Sequence, residues 1–520
     1  MGGWWFALII VISIVVIFSL FSMWIYLKTL PAGAQYPLVH NYPSDFYYYL
    51  SYVQQGREGT LLVTSRYTSE LYPRQFVFTF FPLLGLAARL FGVSNPLIYT
   101  LARSVSGGLL LITSSLLAWY LFKQFRMVLC ALALVIIGAP LWYLDGSTIR
   151  QWGEYWTGFD VMLRIAFLPH HMTAYMMIPV ILILLARGVT RGSVRYSVSA
   201  GIVAAVALWI HPAASLVVLV STVPAVARRA WGNLRTLVIA SPAYLLPVIP
   251  AVGYAALSRT SFPWNAVSRY EQLVTYPVGP LDYIGILGVV GILALIGVLR
   301  TAKKRIFLWD LTCGWLVVPF VLPFIIPKFI TISEVRFLQA APYVPAAMLA
   351  LEGFRVLVRL GSRAGIGRKI SAVILIIIIA VNGIGSFGAS ILRQLRYVSE
   401  NRWNPLVFIP NDLADTISFL SPVGYADDVV LADGIVSALI PAFTNKRVVY
   451  GHPLATDYPR VREQDVYRFF STTDPADAAE IVKQYRVRYI VGSVKTAIQS
   501  GMTSVFERGP YRVYLAGTVQ

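Results

Sequence analysis

The sequence is a series of apolar runs, each close to the length of a bilayer crossing, and most of them end in a knot of Lys or Arg. That pattern restricts the fold more than any other feature of the chain. About 20 apolar residues cross a hydrocarbon core as a helix, and in lipid the backbone must satisfy its own hydrogen bonds. Charged residues are 13% of the 520 and apolar ones 57%. A soluble globular chain has about 25% and about 45–50%. The expectation is a polytopic α-helical membrane protein. The net charge of +19 would suit nucleic acid in a soluble chain. Here it falls in short loops between apolar runs, as the positive-inside rule requires, so membrane lipids and not nucleic acid are the expected surroundings. Cys130 and Cys313 both sit inside apolar runs, which argues against a disulfide framework or a thiolate metal site.

About eleven spans are expected on the length rule: 4–27, 96–121, 127–144, 170–185, 196–210, 212–226, 237–257, 284–299, 307–326, 337–354 and 370–390. The first run lacks a basic leader and a small-residue cleavage site, so it reads as a retained helix. Residues 76–91 (FVFTFFPLLGLAARLF) carry Pro82 and Arg89 and read as an interfacial segment. With the amino terminus cytoplasmic, the clusters Arg187/Arg191/Arg195, Arg228/Arg229/Arg235, Arg300/Lys303/Lys304/Arg305 and Arg355/Arg359/Arg363/Arg368/Lys369 all fall inside. The carboxyl terminus then lies outside, in a plasma membrane.

Two domains are expected: 1–391, the membrane domain with a first outer loop over about 28–95, and 392–520, a small extracytoplasmic α/β domain. In the second, charge rises and apolar runs shorten. Val429–Ala432, Arg447–Gly451 and Tyr489–Val491 read as buried strands, Tyr511–Leu515 as an alternating strand, and Asp474–Tyr485 as an amphipathic helix with an Asp at its start.

The outer loops hold the chemistry. Loop one carries Asp45 in NYPSDFYYYLSYVQQGREG, and His40, Glu58, Arg66, Glu70 and Arg74. The loop before 170 carries Asp160, Arg164, His170 and His171, and the one before 337 carries Lys328, Glu334 and Arg336. His211 and His452 complete the five histidines. A carboxylate that takes a proton from an acceptor hydroxyl, with cations to hold a departing phosphate, suits transfer from a phosphate-linked donor. Asp45 is the candidate base. Arg336, Lys328, Arg164 and His171 are candidates for the donor phosphate. Tyr48, Tyr49, Glu70 and His170 are candidates for substrate contact. Each has a plainer reading. Asp45 or Ser44 fits a helix N-cap. The tyrosines fit an interfacial belt, and Lys328 and Arg336 fit boundary anchors. His170-His171 fits a solvated helix start, His211-Pro212 a packing break, and Glu70 a solvated loop residue. HExxH, DxD, P-loop and GxSxG patterns are missing.

At these residues the chain resembles the glycosyltransferase C-fold enzymes, the group that includes protein O-mannosyltransferases and aminoarabinose transferases. SDFYYYLSYVQQGREGTLLVT resembles their first outer loop, with Asp45, Tyr48 or Tyr49, and Gly56 or Gly59 at the marked positions. FFPLLGLAARLFGVSNPLIYTLARSVSGG resembles their Pro-Leu segment and following span, and EVRFLQAAPYVPAAMLAL their late Arg-Phe helix. The resemblance implies an inverting transferase that takes a sugar from a polyprenyl-phosphate-linked donor to a glycan, lipid or protein acceptor, with Asp45 as base or metal-linked acid. Metal use varies in such enzymes. A divalent cation therefore stays open, with Asp45 and Asp160 as candidate ligands. Phe46 stands where a second acid is usual, and Tyr72-Pro73-Arg74 where His-Pro-Pro or Lys-Pro-Pro is common. Two rivals remain: a transporter or flippase of lipid-linked sugars, which needs acids such as Asp310 and Glu352 along a path, and a membrane scaffold.

Overall fold

A computed structural model describes residues 2–40, 42–154, 156–230, 234–258, 260–263, 265–266, 278–329, 333–493 and 502–516. The chain is a polytopic α-helical membrane protein with a C-terminal α/β region. Among the described residues, six helices are long and apolar enough to cross a bilayer: Asn95–Phe122, Pro169–Arg191, Val238–Ser258, Leu281–Thr301, Phe307–Lys328 and Arg368–Glu400. The pair Leu8–Ser19 and Phe21–Lys28, bent by 41°, makes a seventh if taken as one span.

This is fewer than the length rule led us to expect, and the differences have local causes. The run 127–144 becomes a 13-residue helix, Phe125–Ile137. At 1.5 Å per residue it rises about 20 Å, short of a hydrocarbon core of about 30 Å. Residues 196–210 form a helix of 17 residues, Val194–Ile210. The run 337–354 is broken: a 3-10 turn, Glu334–Leu338, precedes the helix Tyr343–Arg363, whose second half carries Glu352, Arg355, Arg359 and Arg363. The 76–91 segment contains a helix, Phe80–Phe91, of only 12 residues, too short to span.

The chain divides into two compact units. One comprises Met1–Phe21, Ala102–Ala256 and Glu271–Arg396; the other comprises Ser22–Leu101, Leu257–Tyr270 and Tyr397–Gln520. The last of the boundaries between them falls at 396/397. Residues 22–101, which include loop one, fall in the same compact unit as the C-terminal residues.

In the first unit, the helices Pro280–Thr301 and Tyr343–Arg363 pack through facing glycines. A Cβ on Gly297 would stand 1.9 Å from the Leu349 carbonyl oxygen, and one on Gly353 would stand 1.9 Å from that of Leu293. In lipid, where apolar surface gains nothing by leaving the solvent, small residues that let backbones touch are what hold helices together. Beside this contact Glu352 is fully buried. It receives Arg355 at 2.7 Å, Arg300 at 2.9 Å and Lys304 at 3.1 Å.

In the second unit, the helix Pro43–Arg57 lies against Phe80–Phe91 by the same device. A Cβ on Gly56 would meet the Pro82 oxygen at 2.1 Å, and one on Gly85 the Val53 oxygen at 2.0 Å. The C-terminal segment forms a five-stranded sheet in the order Arg447–Val448, Val429–Ala432, Val487–Ser493, Tyr511–Leu515, Thr503–Arg508. The first three strands are parallel and the last two antiparallel. Parallel strands need crossovers. The helix Gly434–Phe443, capped by Asp433 on the Ile435 and Val436 amides, lies between the first two strands in sequence; Pro475–Gln484, capped by Asp474 on the Ala476 amide, precedes the third. One core joins loop one to this domain, with Phe46, Tyr47, Leu50 and Tyr52 packed among Leu439, Ile440 and Val448.

The glycine contacts make a direct prediction. Gly353→Val forces the two helices apart and should lower the thermal midpoint in detergent, at a cost of about 1–3 kcal/mol for overpacking. Gly253→Ala, where nothing lies within 4 Å of the added Cβ, should leave the midpoint unchanged or raise it.

Candidate functional site

Asp45 stands in the first turn of the Pro43–Arg57 helix. Pro43 suits that position because its missing N–H has no partner there in any case. The N-cap is Tyr42, in the left-handed region at φ 43°, and it makes no side-chain cap bond. Neither Ser44 nor Asp45 is therefore the cap, and the carboxylate turns to another partner. That partner is His452, whose Nε2 lies 3.2 Å from Asp45 Oδ1. The histidine is buried while the Asp45 side chain is 38% exposed.

The hydrogen-bond pattern assigns the histidine tautomer. The Leu454 N–H donates to His452 Nδ1 at 3.2 Å. An accepting Nδ1 leaves the ring proton on Nε2, which donates to the carboxylate. The ring also lies flat on Tyr48, with centroids 4.7 Å apart and planes 11° apart. Tyr48 in turn meets Tyr52 edge-on at 5.0 Å, and Tyr49 stacks on Phe81 at 4.6 Å. Burial pushes the Tyr47, Tyr48 and Tyr67 hydroxyls well above the usual phenol range. These rings pack beside the Asp45–His452 pair. Phe46 is fully buried, edge-on to Tyr47 and Tyr99. A second acid at that position would lie in the aromatic core.

Loop one is stitched to the C-terminal residues along its length. Ser65 Oγ donates to the Ala455 carbonyl at 2.6 Å and Thr456 Oγ1 to that of Tyr67 at 2.6 Å. Arg66, almost fully buried, pairs with Glu58 at 2.6 Å and Asp427 at 3.5 Å. Glu70 is bound by Arg462, Thr68 and Ser69. Burial alone would raise its pKa, but the Thr68 hydroxyl and the Arg462 guanidinium outweigh that and hold it below its ordinary value.

In the first unit, three buried histidines meet. Within the Pro169–Arg191 helix, His171 donates or accepts at Tyr175 Oη over 3.0 Å, and its Nε2 lies 3.1 Å from His211 Nε2. His170 stands beside both rings, at 4.5 Å from His171 and 5.6 Å from His211 between centroids. Arg336 is an electrostatic neighbour of His170 and His171. Each histidine offers a nitrogen within 4.8 Å of the others, the geometry of a candidate metal set. One bond weighs against that reading. The Ala214 N–H donates to His211 Nδ1 at 3.0 Å, which puts the ring proton on the same Nε2 that a metal would need. The arrangement reads best as a chain of hydrogen bonds from Ala214 through His211 and His171 to Tyr175. Among the described residues, neither Asp45 nor Asp160 belongs to a cluster of three metal-type ligands.

The other candidates have definite partners. Asp160 Oδ1 accepts from the Met162 and Leu163 amides at 2.8 and 3.0 Å and from Ser390 Oγ at 2.6 Å, and Oδ2 receives Arg393 at 2.8 Å. Arg164 donates to the Gly138 and Ile136 carbonyls at 2.5 Å each and lies over the Tyr343 ring at 4.9 Å. It thereby closes the end of the Phe125–Ile137 helix, and burial pushes its pKa down to about 10. Lys328 is exposed at the end of a 3-10 turn, and Arg336 is half-buried in another. Asp310 pairs with Arg228 at 2.8 Å. With Glu352 held by three cations, both acids that a transport path would need are occupied as structural ion pairs. The residue that loop one alone does not reveal is His452, whose only sequence signal is its place in Tyr450-Gly-His-Pro after a buried strand.

The apo structure of ArnT from Cupriavidus metallidurans superposes with a TM-score of 0.51 over 98% of this chain and 97% of its own, at 14% identity. The same enzyme bound to undecaprenyl phosphate gives 0.50 over 99% and 98%, at 15% identity. The fold is the glycosyltransferase C fold. The Archaeoglobus fulgidus oligosaccharyltransferase, tethered with an acceptor peptide containing the NVT sequon, also matches, at 0.51 over 95% of this chain and 70% of its own, with 14% identity. No protein-family model matches the sequence, and no curated protein matches it.

The depressed pKa of Glu70 has a stability consequence. An acid whose folded pKa lies below its unfolded value, about 4.3 for Glu, stabilises the fold above that pH and loses the contribution as pH falls through the folded pKa. Glu70→Gln should therefore lower the thermal midpoint at pH 7. The gap to the parent protein should close as the pH falls below about 4.

Proposed function

We propose that this chain is a membrane glycosyltransferase that moves a sugar from a polyprenyl-phosphate-linked donor to a glycan, lipid or protein acceptor on the outer face of a plasma membrane. The observation that carries this is the state of Asp45. It is an acid partly open to solvent, set at a helix N-terminus and held by a neutral histidine, in a fold shared with enzymes crystallised with undecaprenyl phosphate and with an acceptor peptide.

In this reading an acceptor O–H attacks the anomeric carbon of the donor sugar. The bond from that carbon to the phosphate oxygen breaks, and its electron pair leaves with the polyprenyl phosphate. The acceptor proton passes to Asp45 Oδ2, since His452 occupies Oδ1. Arg336, with His170 and His171 beside it, is assigned to the phosphate, where a guanidinium can offset the developing charge. Lys328, exposed near the end of its helix, is assigned to guiding the donor headgroup. Tyr48 supports His452 from behind, and Tyr49 and Glu70 shape loop one. The amino terminus is assigned to the cytoplasm, and loop one and the C-terminal domain to the outside. Hexosyl and pentosyl donors both fit this chemistry.

Transfer from a radiolabelled polyprenyl-phosphate sugar series to endogenous acceptors in membranes tests the assignment. Asp45→Asn should lower the rate by about 10²–10⁴-fold, the usual contribution of a general base, while donor affinity is retained. Arg336→Ala should mainly raise the KM for the donor. Undiminished transfer by Asp45→Asn would remove the role given to that residue.

A further inference from the structure

We propose that His452 is a positioning residue of the transferase site, so that the C-terminal α/β domain completes the active centre. The inference rests on the reading of Asp45 as the base.

Four contacts fix the imidazole. Its Nε2–H donates to Asp45 Oδ1 at 3.2 Å. Its Nδ1 accepts the Leu454 N–H at 3.2 Å. One face lies on Tyr48 at 4.7 Å, and the Tyr67 ring approaches at 6.0 Å. The segment that carries it is itself clamped, because the Ala455 carbonyl takes Ser65 Oγ, the Thr456 hydroxyl reaches the Tyr67 carbonyl, and Tyr67 Oη donates to Ala438 at 3.0 Å. A buried histidine with no catalytic consequence needs only its own two nitrogens satisfied. This one instead donates its single proton to Asp45, the acid of loop one that, among the described residues, no Lys or Arg pairs with.

The effect follows from geometry. An aspartate in a first helical turn has free rotation about two side-chain bonds, and proton transfer requires the acceptor oxygen within about 3 Å of the hydroxyl. With Oδ1 pinned by His452, Oδ2 is presented in one direction. A misplacement of about 1 Å can cost about 10²-fold in rate.

Three variants separate this role from packing. His452→Gln keeps an N–H at the reach of Nε2 but loses the ring. His452→Met has nearly the same length and no donor. His452→Phe keeps the stack on Tyr48 and loses the donor. The expected order is kcat within about 3-fold of the parent for His452→Gln and about 10–100-fold lower for His452→Met and His452→Phe, with KM for donor and acceptor unchanged in all three. Thermal midpoints in detergent identify any variant that fails to fold, and the Gln–Met comparison stands without the Phe variant. Equal kcat for Gln and Met, or parental kcat for Phe, would overturn the proposal. If Asp45→Asn abolishes transfer while His452→Met runs like the parent, only the part given to His452 falls. If Asp45→Asn itself transfers normally, the reading of the base falls and the proposal with it.

Discussion

A carboxylate can persist in a largely apolar chain only where something takes up its charge. Every acid that organises this structure obeys that constraint, and the way each obeys it separates scaffold from chemistry. Glu352 is fully buried and met by three cations. Asp160 is saturated by two amides, a hydroxyl and Arg393. Asp310 has Arg228, Glu58 has Arg66, and Glu70 has Arg462. Breaking a buried pair of this kind leaves an uncompensated charge, which is why such residues hold a fold together. Asp45 departs from the pattern: among the described residues its partner is the imidazole of His452 and not a Lys or Arg.

The aromatic density of loop one follows from the same constraint. Tyr47, Tyr48, Tyr52 and Phe46 point into a common core with the helix Gly434–Phe443, and their large faces leave little freedom to the Pro43–Arg57 helix. Gly56 and Gly85 then let the Phe80–Phe91 helix approach to backbone contact. The C-terminal sheet contributes the clamp over residues 447–456. Loop one by itself would be a helix and a long irregular segment; with the domain it becomes a rigid support for one carboxylate and its histidine.

Much of this was legible in the sequence. The long spans showed in unbroken apolar runs such as 170–185 and 284–299. The strands Val429–Ala432 and Tyr511–Leu515 showed in their hydrophobic patterns, and the cap of the Pro475–Gln484 helix in Asp474. Hydropathy does not report where Pro140 or the Gln339–Pro342 break stops a helix, so the bounds of the shorter helices were not legible. The strand Thr503–Arg508 was not read, since its mostly exposed edge position leaves little hydrophobic alternation. Of the candidate site, Asp45 stood out as an acid among phenols. His452 did not, because 407 residues separate it from its partner, and such a pairing is visible only once the strands have stacked. For Arg164 a phosphate ligand and a helix-closing residue look alike in sequence, because the carbonyls it meets lie at the end of the Phe125–Ile137 helix, more than 25 residues away.

The most direct measurement is a structure of the chain with a polyprenyl-phosphate sugar analogue and an acceptor bound. Asp45 Oδ2 should lie within about 3 Å of the acceptor hydroxyl, with Oδ1 still on His452. A complex in which the reacting hydroxyl sits against other residues, and Asp45 touches only protein, would contradict it.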